Sequence, residues 1–473
     1  MTYRNYTIGL CICLATLIAG CANEGYGPDD AVSKSQALDA LFGKPVDSAK
    51  ATPKLTAGIF ESGDKVIWLG DSITVAHTYG RFVEVFFQLR YPELDINFIN
   101  AGIGGHSALN GLQRLQEDVI AKRPSVVVIN FGMNDAGYPA GSPHADFMQN
   151  MQTIIAQLRK SGVRKIVWVE PTPTDYVRSG ASSRIKSRQR QLERLVKQMQ
   201  QQPVADDLVV VQWLAPVTAS LKSMLNRDGS RMIPDRIHPN SLGHAVMAAE
   251  FLRQVGVDVE PTVIESTLSA DTMRTSYPSI TAGKADRREI STVIDRGITT
   301  VNIAEAVAPV PMVLDSKEIE ALSNPTLSDL TTLSWKVLGA TATKQYKVSV
   351  NDFTIGLFTG EQLSQGINLL AQPSIAANAK ASTDLSVDEC TNQSGMIFVT
   401  DFNCLFQLNY QKDQLNMLMR HRRVRDLPEF GAIDVNTYIE FMSRWLNSVN
   451  IAIDDRARAR RLLPHTLKLE PVN

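Results

Sequence analysis

Between residues 65 and 256, short apolar runs alternate with longer amphipathic ones. The apolar runs are KVIWLG, INFINAG, SVVVINFG, KIVWVEP and LVVVQW, and the main amphipathic runs begin at Thr78, Ala108, Phe147, Arg184 and Ser241. Near-continuous runs of Val and Ile are typical of strands buried on both faces, and helices between such strands impose parallel crossovers. Five strands of this kind predict a three-layer α/β/α, flavodoxin-like domain over residues 60–256.

The pattern changes after Gly256. Segments rich in Thr, Val and Ser with partial alternation, such as TVIESTLSA and QYKVSVNDFTIGLFTG, predict a β-rich region over residues 257–372. Within it, Asn351 and Asp352 are typical of a hairpin turn. Amphipathic stretches then return and predict a helical C-terminal region, residues 373–473.

The composition is that of a globular protein with more than one core: 473 residues, of which 44% are hydrophobic and 21% charged. A formal net charge of −1 gives no electrostatic reason to bind nucleic acid, so we expect no nucleic-acid partner. No Cys/His cluster has the spacing of metal ligands, and we expect neither a metal nor another cofactor.

Residues 1–20 are typical of a signal peptide, because Arg4 precedes the apolar stretch YTIGLCICLATLIAG. The segment LIAGC resembles a bacterial lipobox, which implies a lipoprotein acylated at Cys21 with residues 21–59 as its tether. The alternative is an ordinary cleaved signal peptide followed by a chance cysteine. The lipobox implies a bacterial cell envelope protein that meets the membrane only through its lipid anchor, and Ala22 favours the outer membrane. In that oxidising compartment Cys390 and Cys404 can form a disulfide.

Polar residues and glycines follow the predicted strands where ligands bind in a parallel sheet, outside the carboxyl ends. Asp71 and Ser72 follow the first strand, the glycines of NAGIGGHS follow the second, and Asn134 follows the third. Beyond the fifth strand, PDRIHPNSLGH places Asp235 three residues before His238. Taken singly, each feature is an ordinary helix cap or tight turn.

Taken together, these residues have the chemistry of acyl transfer. Ser72 as a nucleophile needs a general base, which His238 can be, and Asp235 can hold the imidazole in one tautomer. A tetrahedral intermediate needs donors for its oxyanion. A glycine N–H, the Asn134 amide and the N–H of Ser72 itself can supply them. The pattern therefore predicts a serine nucleophile with a catalytic triad and an oxyanion hole.

In this order, the segments resemble the blocks of the SGNH/GDSL hydrolase superfamily over about residues 60–256. By that resemblance, Ser72 of GDSIT is the nucleophile, and Asp235 and His238 of DRIHP complete the triad. Gly105 of NAGIGG and Asn134 of GMND are then the oxyanion-hole residues beside the Ser72 N–H.

The resemblance implies a carboxylic-ester hydrolase that works through a serine acyl-enzyme, with acetyl and other small acyl groups favoured. An envelope location points to an acylated carbohydrate or a cell-envelope ester as the substrate. His106 departs from the family pattern, in which Asp or another small polar residue is common; it is either a solvent-facing turn residue or a substrate contact. The segment QYKVSVNDFTIGLFTGEQLSQGINLL resembles the β-rich extension of a bacterial subgroup of these hydrolases.

Two other functions remain open. The same site could transfer the acyl group to a sugar, as an O-acyltransferase, or the chain could be a non-catalytic glycan-binding envelope lipoprotein. A complete set of five site residues counts against the non-catalytic alternative, because a binding protein has no use for all of them.

Overall fold

The computed structural model describes residues 55–91, 94–203, 205–224, 232–281, 284–303, 325–350, 353–369, 405–406, 408–410, 412–413 and 465–472. Cys21, Cys390, Cys404 and the turn residues Asn351 and Asp352 lie outside these ranges, so the lipidation, disulfide and hairpin-turn predictions stay predictions. Within these ranges, no helix has both the length and the hydrophobicity that a membrane crossing requires.

A five-stranded parallel sheet forms the centre of residues 60–256. A short hairpin of β1 (Thr56–Ala57) and β2 (Phe60–Glu61) precedes it. The strands of the parallel sheet are β3 (Lys65–Gly70), β4 (Asn97–Gly102), β5 (Val126–Asn130), β6 (Lys165–Val169) and β7 (Leu208–Val211), in the order β4-β3-β5-β6-β7. Every neighbouring pair is parallel, as the sequence predicts.

Eight α-helices are described in this region. They are α1 (Ser72–Ala76), α2 (Thr78–Arg90), α3 (Ala108–Gln113), α4 (Leu115–Asp118), α5 (Phe147–Lys160), α6 (Ser183–Met199), α7 (Leu214–Ser223) and α8 (Ser241–Gln254). α6 is amphipathic: its buried residues are Gln189, Leu192, Val196 and Met199, at the spacing of one helix face.

Helices cover both faces of the sheet. Trp68 of β3 contacts Phe251 of α8, with ring centroids 5.1 Å apart. Trp168 of β6 contacts Phe147 of α5, with centroids 6.1 Å apart. Trp68 shares a face with Val167 through the strand register, so Trp168, one residue further along, points to the opposite face. This arrangement confirms the predicted three-layer α/β/α fold.

The amphipathic run that begins at Ala108 does not form one helix. It divides at Arg114 into α3 and α4. The Arg114 guanidinium donates to the carbonyls of Ala101 at 2.7 Å and Gly70 at 3.0 Å, at the ends of β4 and β3. The guanidinium thus satisfies backbone carbonyls at the ends of two strands. The local sequence around Arg114 does not indicate such tertiary contacts.

The region after residue 256 is β-rich, as predicted. One sheet has the order β10-β9-β8-β12-β15 and the other β11-β16-β13-β14. The strands are β8 (Thr262–Leu268), β9 (Thr272–Thr281), β10 (Lys284–Val293), β11 (Thr299–Ile303), β12 (Leu333–Leu338), β13 (Gln345–Val350), β14 (Phe353–Thr359), β15 (Ile367–Asn368) and β16 (His465–Pro471), with helices α9 (Pro325–Thr331) and α10 (Gly360–Gln365) between them. Both sheets contribute to one apolar core, with Trp335 from the first sheet and Val348 from the second.

The predicted helical region, residues 373–473, needs a correction at β16. The described residues between 405 and 413 are helical, but residues 465–471 form a strand that pairs with β11 on one side and β13 on the other. Leu467 and Leu469 are buried in the β-core and alternate with polar residues, which is the period of a strand. The many charged residues just before this short segment obscure that alternation.

Candidate active site

Ser72 lies where β3 ends and α1 begins. Asp71 is the N-cap residue of α1, and its carboxylate accepts a hydrogen bond from the Ile73 N–H at 2.9 Å. The sharp turn requires a glycine before it, because a Cβ on Gly70 would lie 2.1 Å from Oγ1 of Thr74. The turn places the half-buried Ser72 at the carboxyl edge of the sheet.

The three residues of the predicted triad form a hydrogen-bonded line. Oγ of Ser72 lies 2.8 Å from Nε2 of His238, and Nδ1 of His238 lies 2.6 Å from Oδ2 of Asp235. The other carboxylate oxygen, Oδ1, accepts the backbone N–H groups of Ile237 at 2.9 Å and His238 at 2.7 Å. One oxygen of Asp235 therefore fixes the turn while the other orients the ring.

Asp235 is negatively charged in this arrangement. Partial burial raises its pKa, but the hydrogen bonds from the His238 ring and from two backbone N–H groups outweigh burial and leave the pKa below its ordinary value. A carboxylate beside Nδ1 favours the tautomer with its proton there, so that Nε2 can accept the Ser72 proton. The side chains of His238 and Asp235 are 47% and 55% exposed, so solvent reaches the pair.

The loop after β4 carries the glycines of the predicted oxyanion hole. Gly105 has φ of 78°, in the left-handed region that favours glycine. At the adjacent Gly104, a Cβ would lie 4.0 Å from Cβ of Ser72, so this loop passes close to Ser72. No heavy atom lies within 4 Å of the Cβ position of Gly105, which leaves open space beside it.

Asn134 lies at the same edge of the sheet, after β5. Its Nδ2 donates to the carbonyl of His106 at 3.0 Å and lies 3.4 Å from Oδ2 of Asp71. The structure thus brings Asn134 against the loop of Gly105 on one side and the residue before Ser72 on the other. His106 is half-buried.

Asp135 joins the same two loops, a role that sequence reasoning missed. Its carboxylate accepts the N–H of Ala108 at 2.9 Å and that of Gly132 at 3.0 Å. Burial raises its pKa to about 6, although these backbone hydrogen bonds oppose the shift. In the sequence, an Asp after a strand indicates a helix cap, and nothing local signals the partner at Ala108.

Tyr138 and His144 form an aromatic pair on the loop that follows Asn134. Their rings are stacked, with centroids 4.4 Å apart and an interplanar angle of 17°. Nδ1 of His144 lies 2.7 Å from Oγ of Ser107, close to the loop of Gly105. Tyr138 is 38% exposed, so this pair presents an aromatic surface near the loop of Gly105.

Among the described residues, one group of side chains has the composition of a metal site. Ligand atoms of His77, Glu84 and Asp413 lie within 4.8 Å of one another, and all three residues are buried. Arg81 donates to Asp413 at 3.1 Å, and Lys412 pairs with Glu84. The positive charges of Arg81 and Lys412 thus balance the two carboxylates, which leaves no excess negative charge to attract a divalent cation. We refer to these five residues as the buried charge cluster.

The buried charge cluster joins α2 to residues 412–413. Burial raises the pKa of Glu84, while the neighbouring Lys412 lowers it. Burial also raises the pKa of Asp413, but His77 and Arg81 outweigh it, and the pKa lies below its ordinary value. The cluster is therefore an ion-pair network within the core, and its members were not predicted from the sequence.

Comparison with known proteins identifies the region that carries the predicted triad. Residues 68–246 match the model of the GDSL-like lipase/acylhydrolase family. This region belongs to the SGNH/GDSL hydrolase superfamily. An acetylxylan esterase of Geobacillus stearothermophilus is 26% identical to this hydrolase over 220 residues, which cover 42% of this chain and 96% of the relative.

A second curated relative and one solved structure are also similar to this hydrolase. The uncharacterized lipoprotein YqeF of Bacillus subtilis (strain 168) is 31% identical over 126 residues, which cover 24% of this chain and 51% of that protein. The solved structure of a gut microbial diltiazem-metabolizing enzyme matches 89% of this chain and 100% of its own, with a TM-score of 0.59 and 19% identity. That likeness concerns the fold alone. The family and its esterase relative make this chain an ester-hydrolysing serine enzyme.

Proposed function

We propose that this enzyme removes acetyl and other small acyl groups from esters of carbohydrates or of the cell envelope. Ser72 is the nucleophile, His238 the general base, and Asp235 holds the imidazole in place. The observation that supports this assignment is the line of short hydrogen bonds from Ser72 Oγ through His238 to Asp235, at 2.8 and 2.6 Å.

The reaction has two halves. In acylation, Ser72 Oγ attacks the ester carbonyl carbon while His238 Nε2 takes the hydroxyl proton. The tetrahedral intermediate then collapses, the bond to the alcohol oxygen breaks, and His238 returns the proton to the leaving alcohol. In deacylation, a water molecule activated by His238 attacks the acyl-enzyme and releases the acid and free Ser72.

The oxyanion of each tetrahedral intermediate needs preorganised donors. We assign this role to the N–H groups of Ser72 and Gly105 and to Nδ2 of Asn134. The close approach of the Gly104–Gly105 loop to Ser72, and the contact of Asn134 with the same loop, support the assignment.

A carbohydrate ester is the substrate class that several observations favour. The acetylxylan esterase relative is covered over 96% of its length. The exposed His238–Asp235 pair makes the site accessible to a large alcohol group. The exposed, stacked Tyr138 near the oxyanion loops suits the apolar face of a sugar ring.

We also propose that the enzyme is anchored by lipid in the bacterial envelope. Its similarity to a Bacillus subtilis lipoprotein and the segment LIAGC with Cys21 support this location. In this proposal a signal peptide (1–20) and tether (21–59) precede the hydrolase region (60–256), the β-rich region (257–372) and the C-terminal region (373–473), which carries the Cys390–Cys404 disulfide.

The test uses purified protein with aryl esters of graded chain length and acetylated xylan. We expect the highest kcat/KM on acetyl esters and release of acetate from xylan. Ser72→Ala should lower kcat by about 10⁶-fold, and Ser161→Ala, a change at the end of α5, serves as the matched control. Activity of Ser72→Ala near that of the wild type would refute the assignment. Recovery of the acyl group on an added sugar acceptor, rather than as free acid, would identify an acyltransferase.

A further inference from the structure

Arg236 lies between the two triad residues of its loop, and its backbone is unusual. Its φ is 73°, in the left-handed region that is unfavourable for any residue with a Cβ. The other described non-glycine residues with positive φ lie outside this loop. A conformation of this kind persists only where other contacts hold it.

The geometry of the Asp235–His238 pair does not come from burial. Both side chains are about half exposed, and their hydrogen bonds with each other and with the turn are local. The loop must therefore be fixed to the rest of the domain by other groups, or the His238 ring would not stay in line with Ser72.

The Arg236 guanidinium makes that connection. It donates to three backbone carbonyls of the loop after β6: Nη1 to Asp175 at 2.9 Å and to Arg178 at 3.2 Å, and Nη2 to Ser179 at 2.9 Å. In return, the N–H of Asp175 donates to the Arg236 carbonyl at 3.1 Å. We refer to residues 175–179 as the clamp loop.

The clamp loop is itself well anchored. Asp175 is buried and forms an ion pair with Arg178 at 2.8 Å, and Arg178 donates to the Pro234 carbonyl at 3.1 Å. Just before it, the N–H of Thr174 donates to Oε1 of Gln189 on α6 at 2.9 Å. A chain of hydrogen bonds thus runs from α6 through the clamp loop to both sides of Asp235.

We propose that Arg236 is a positioning residue of this hydrolase: by binding the clamp loop, its guanidinium holds the Asp235–His238 pair in line with Ser72. The inference rests on the proposed triad. Arg236 touches neither the substrate nor the reacting atoms in this assignment, and it acts only through the loop that it fixes.

Three variants separate the effect of the guanidinium from that of the backbone conformation. Arg236→Gly tolerates the positive φ but loses the three guanidinium hydrogen bonds. Arg236→Ala loses these hydrogen bonds and also disfavours the positive φ, whereas Arg236→Lys keeps the charge with a less suitable set of donors. Arg159→Ala, which removes an exposed pair with Asp207, is the matched control.

We expect Arg236→Gly to lower kcat by about 10²-fold, the effect of a misplacement of about 1 Å, with KM within two-fold of the wild type. Arg236→Ala should be no better, and Arg236→Lys should recover part of the loss. A readout independent of turnover is the downfield proton resonance of the His238 Nδ1–H, assigned by its loss in Asp235→Asn. It should broaden or move in Arg236→Gly.

A folded Arg236→Gly variant with wild-type kcat and an unchanged resonance would overturn the inference. So would normal activity of Arg236→Gly with a low activity of Arg236→Ala, because only the turn conformation would then matter. If Arg236→Gly does not fold, the kcat and the His238 Nδ1–H resonance of Arg236→Lys test the inference instead. Wild-type values of both in Arg236→Lys would then overturn it. Ser72→Ala in the same assay tests the triad separately: its failure to lose activity would refute the proposed function, whatever Arg236 does.

Discussion

Asp71, the residue before the nucleophile, should make the protein less stable as the pH rises. Its side chain is 1% exposed. Burial raises its pKa from 3.8 to about 7; the hydrogen bond from the Ile73 N–H opposes this shift and the charge of Asp135 adds to it. Between about pH 4 and pH 7 the folded protein keeps a proton on Asp71 that the unfolded chain has lost. The free energy of unfolding therefore falls across this window as the pH rises.

The variant Asp71→Asn removes this dependence. An Asn side-chain oxygen can still accept from the Ile73 N–H, so the cap of α1 is retained. A pKa shift from 3.8 to about 7 corresponds to about 4 kcal/mol. We expect the variant to match the wild type near pH 4 and to exceed its free energy of unfolding by about 4 kcal/mol at pH 8. The difference should grow by about 1.4 kcal/mol per pH unit between these limits.

Urea unfolding followed by tryptophan fluorescence measures this difference. Trp68, Trp168 and Trp213 are fully buried in the hydrolase region and report on its unfolding. Asp207→Asn is the matched control, because the Asp207 side chain is 33% exposed and the hydrogen bond from Arg159 leaves its pKa below its ordinary value. A difference between Asp71→Asn and the wild type that is the same at pH 5 and pH 8 would refute the reasoning.

Three further outcomes are expected. Asn134→Ala should lower kcat by about 10²- to 10³-fold with little change in KM, as for the loss of one oxyanion donor; a rise in KM alone, in steady-state kinetics, would make Asn134 a ground-state contact. Lys412→Met should cost about 3–5 kcal/mol in denaturant unfolding, because Glu84 stays buried without its cation, and the double variant with Glu84→Gln should recover most of that loss; additive losses would contradict the pairing. Cys21→Ser should abolish incorporation of a fatty-acid analogue and release the protein from membrane fractions; persistent labelling would show that Cys21 is not the lipidation site.

The sequence allows the sheet and the five-residue site to be predicted for a common reason. A buried parallel strand is a run of Val and Ile whichever strands lie beside it, so each strand can be recognised on its own. The carboxyl ends of such strands meet at one edge of the sheet. Ser72, Asn134 and the glycine loop could therefore be placed together before any contact was known. Asp235 and His238 could also be placed together, because they lie three positions apart on one loop.

The features that were missed depend on partners that are distant in the chain. The predicted helix divides at Arg114, whose guanidinium donates to strand-end carbonyls 13 and 44 positions earlier in the chain. His77 and Asp413, 2.7 Å apart, are separated by 336 positions. Arg236 carries a positive φ that an arginine in the sequence does not indicate, and its guanidinium binds carbonyls of the clamp loop that lie 57 to 61 positions earlier in the chain.

The position of β16 inside its sheet has a consequence for how the protein is made. Strands β11 and β13 both pair with β16, yet more than a hundred residues of chain separate the end of β13 from it. During synthesis, two strand edges stay unpaired until residue 471 has emerged, and open edges attract other chains. The sheet of β11, β13 and β14 can therefore be completed only after nearly the whole chain has been made. Any fragment that ends before residue 465 keeps both edges open and should aggregate, even when its hydrolase region has folded.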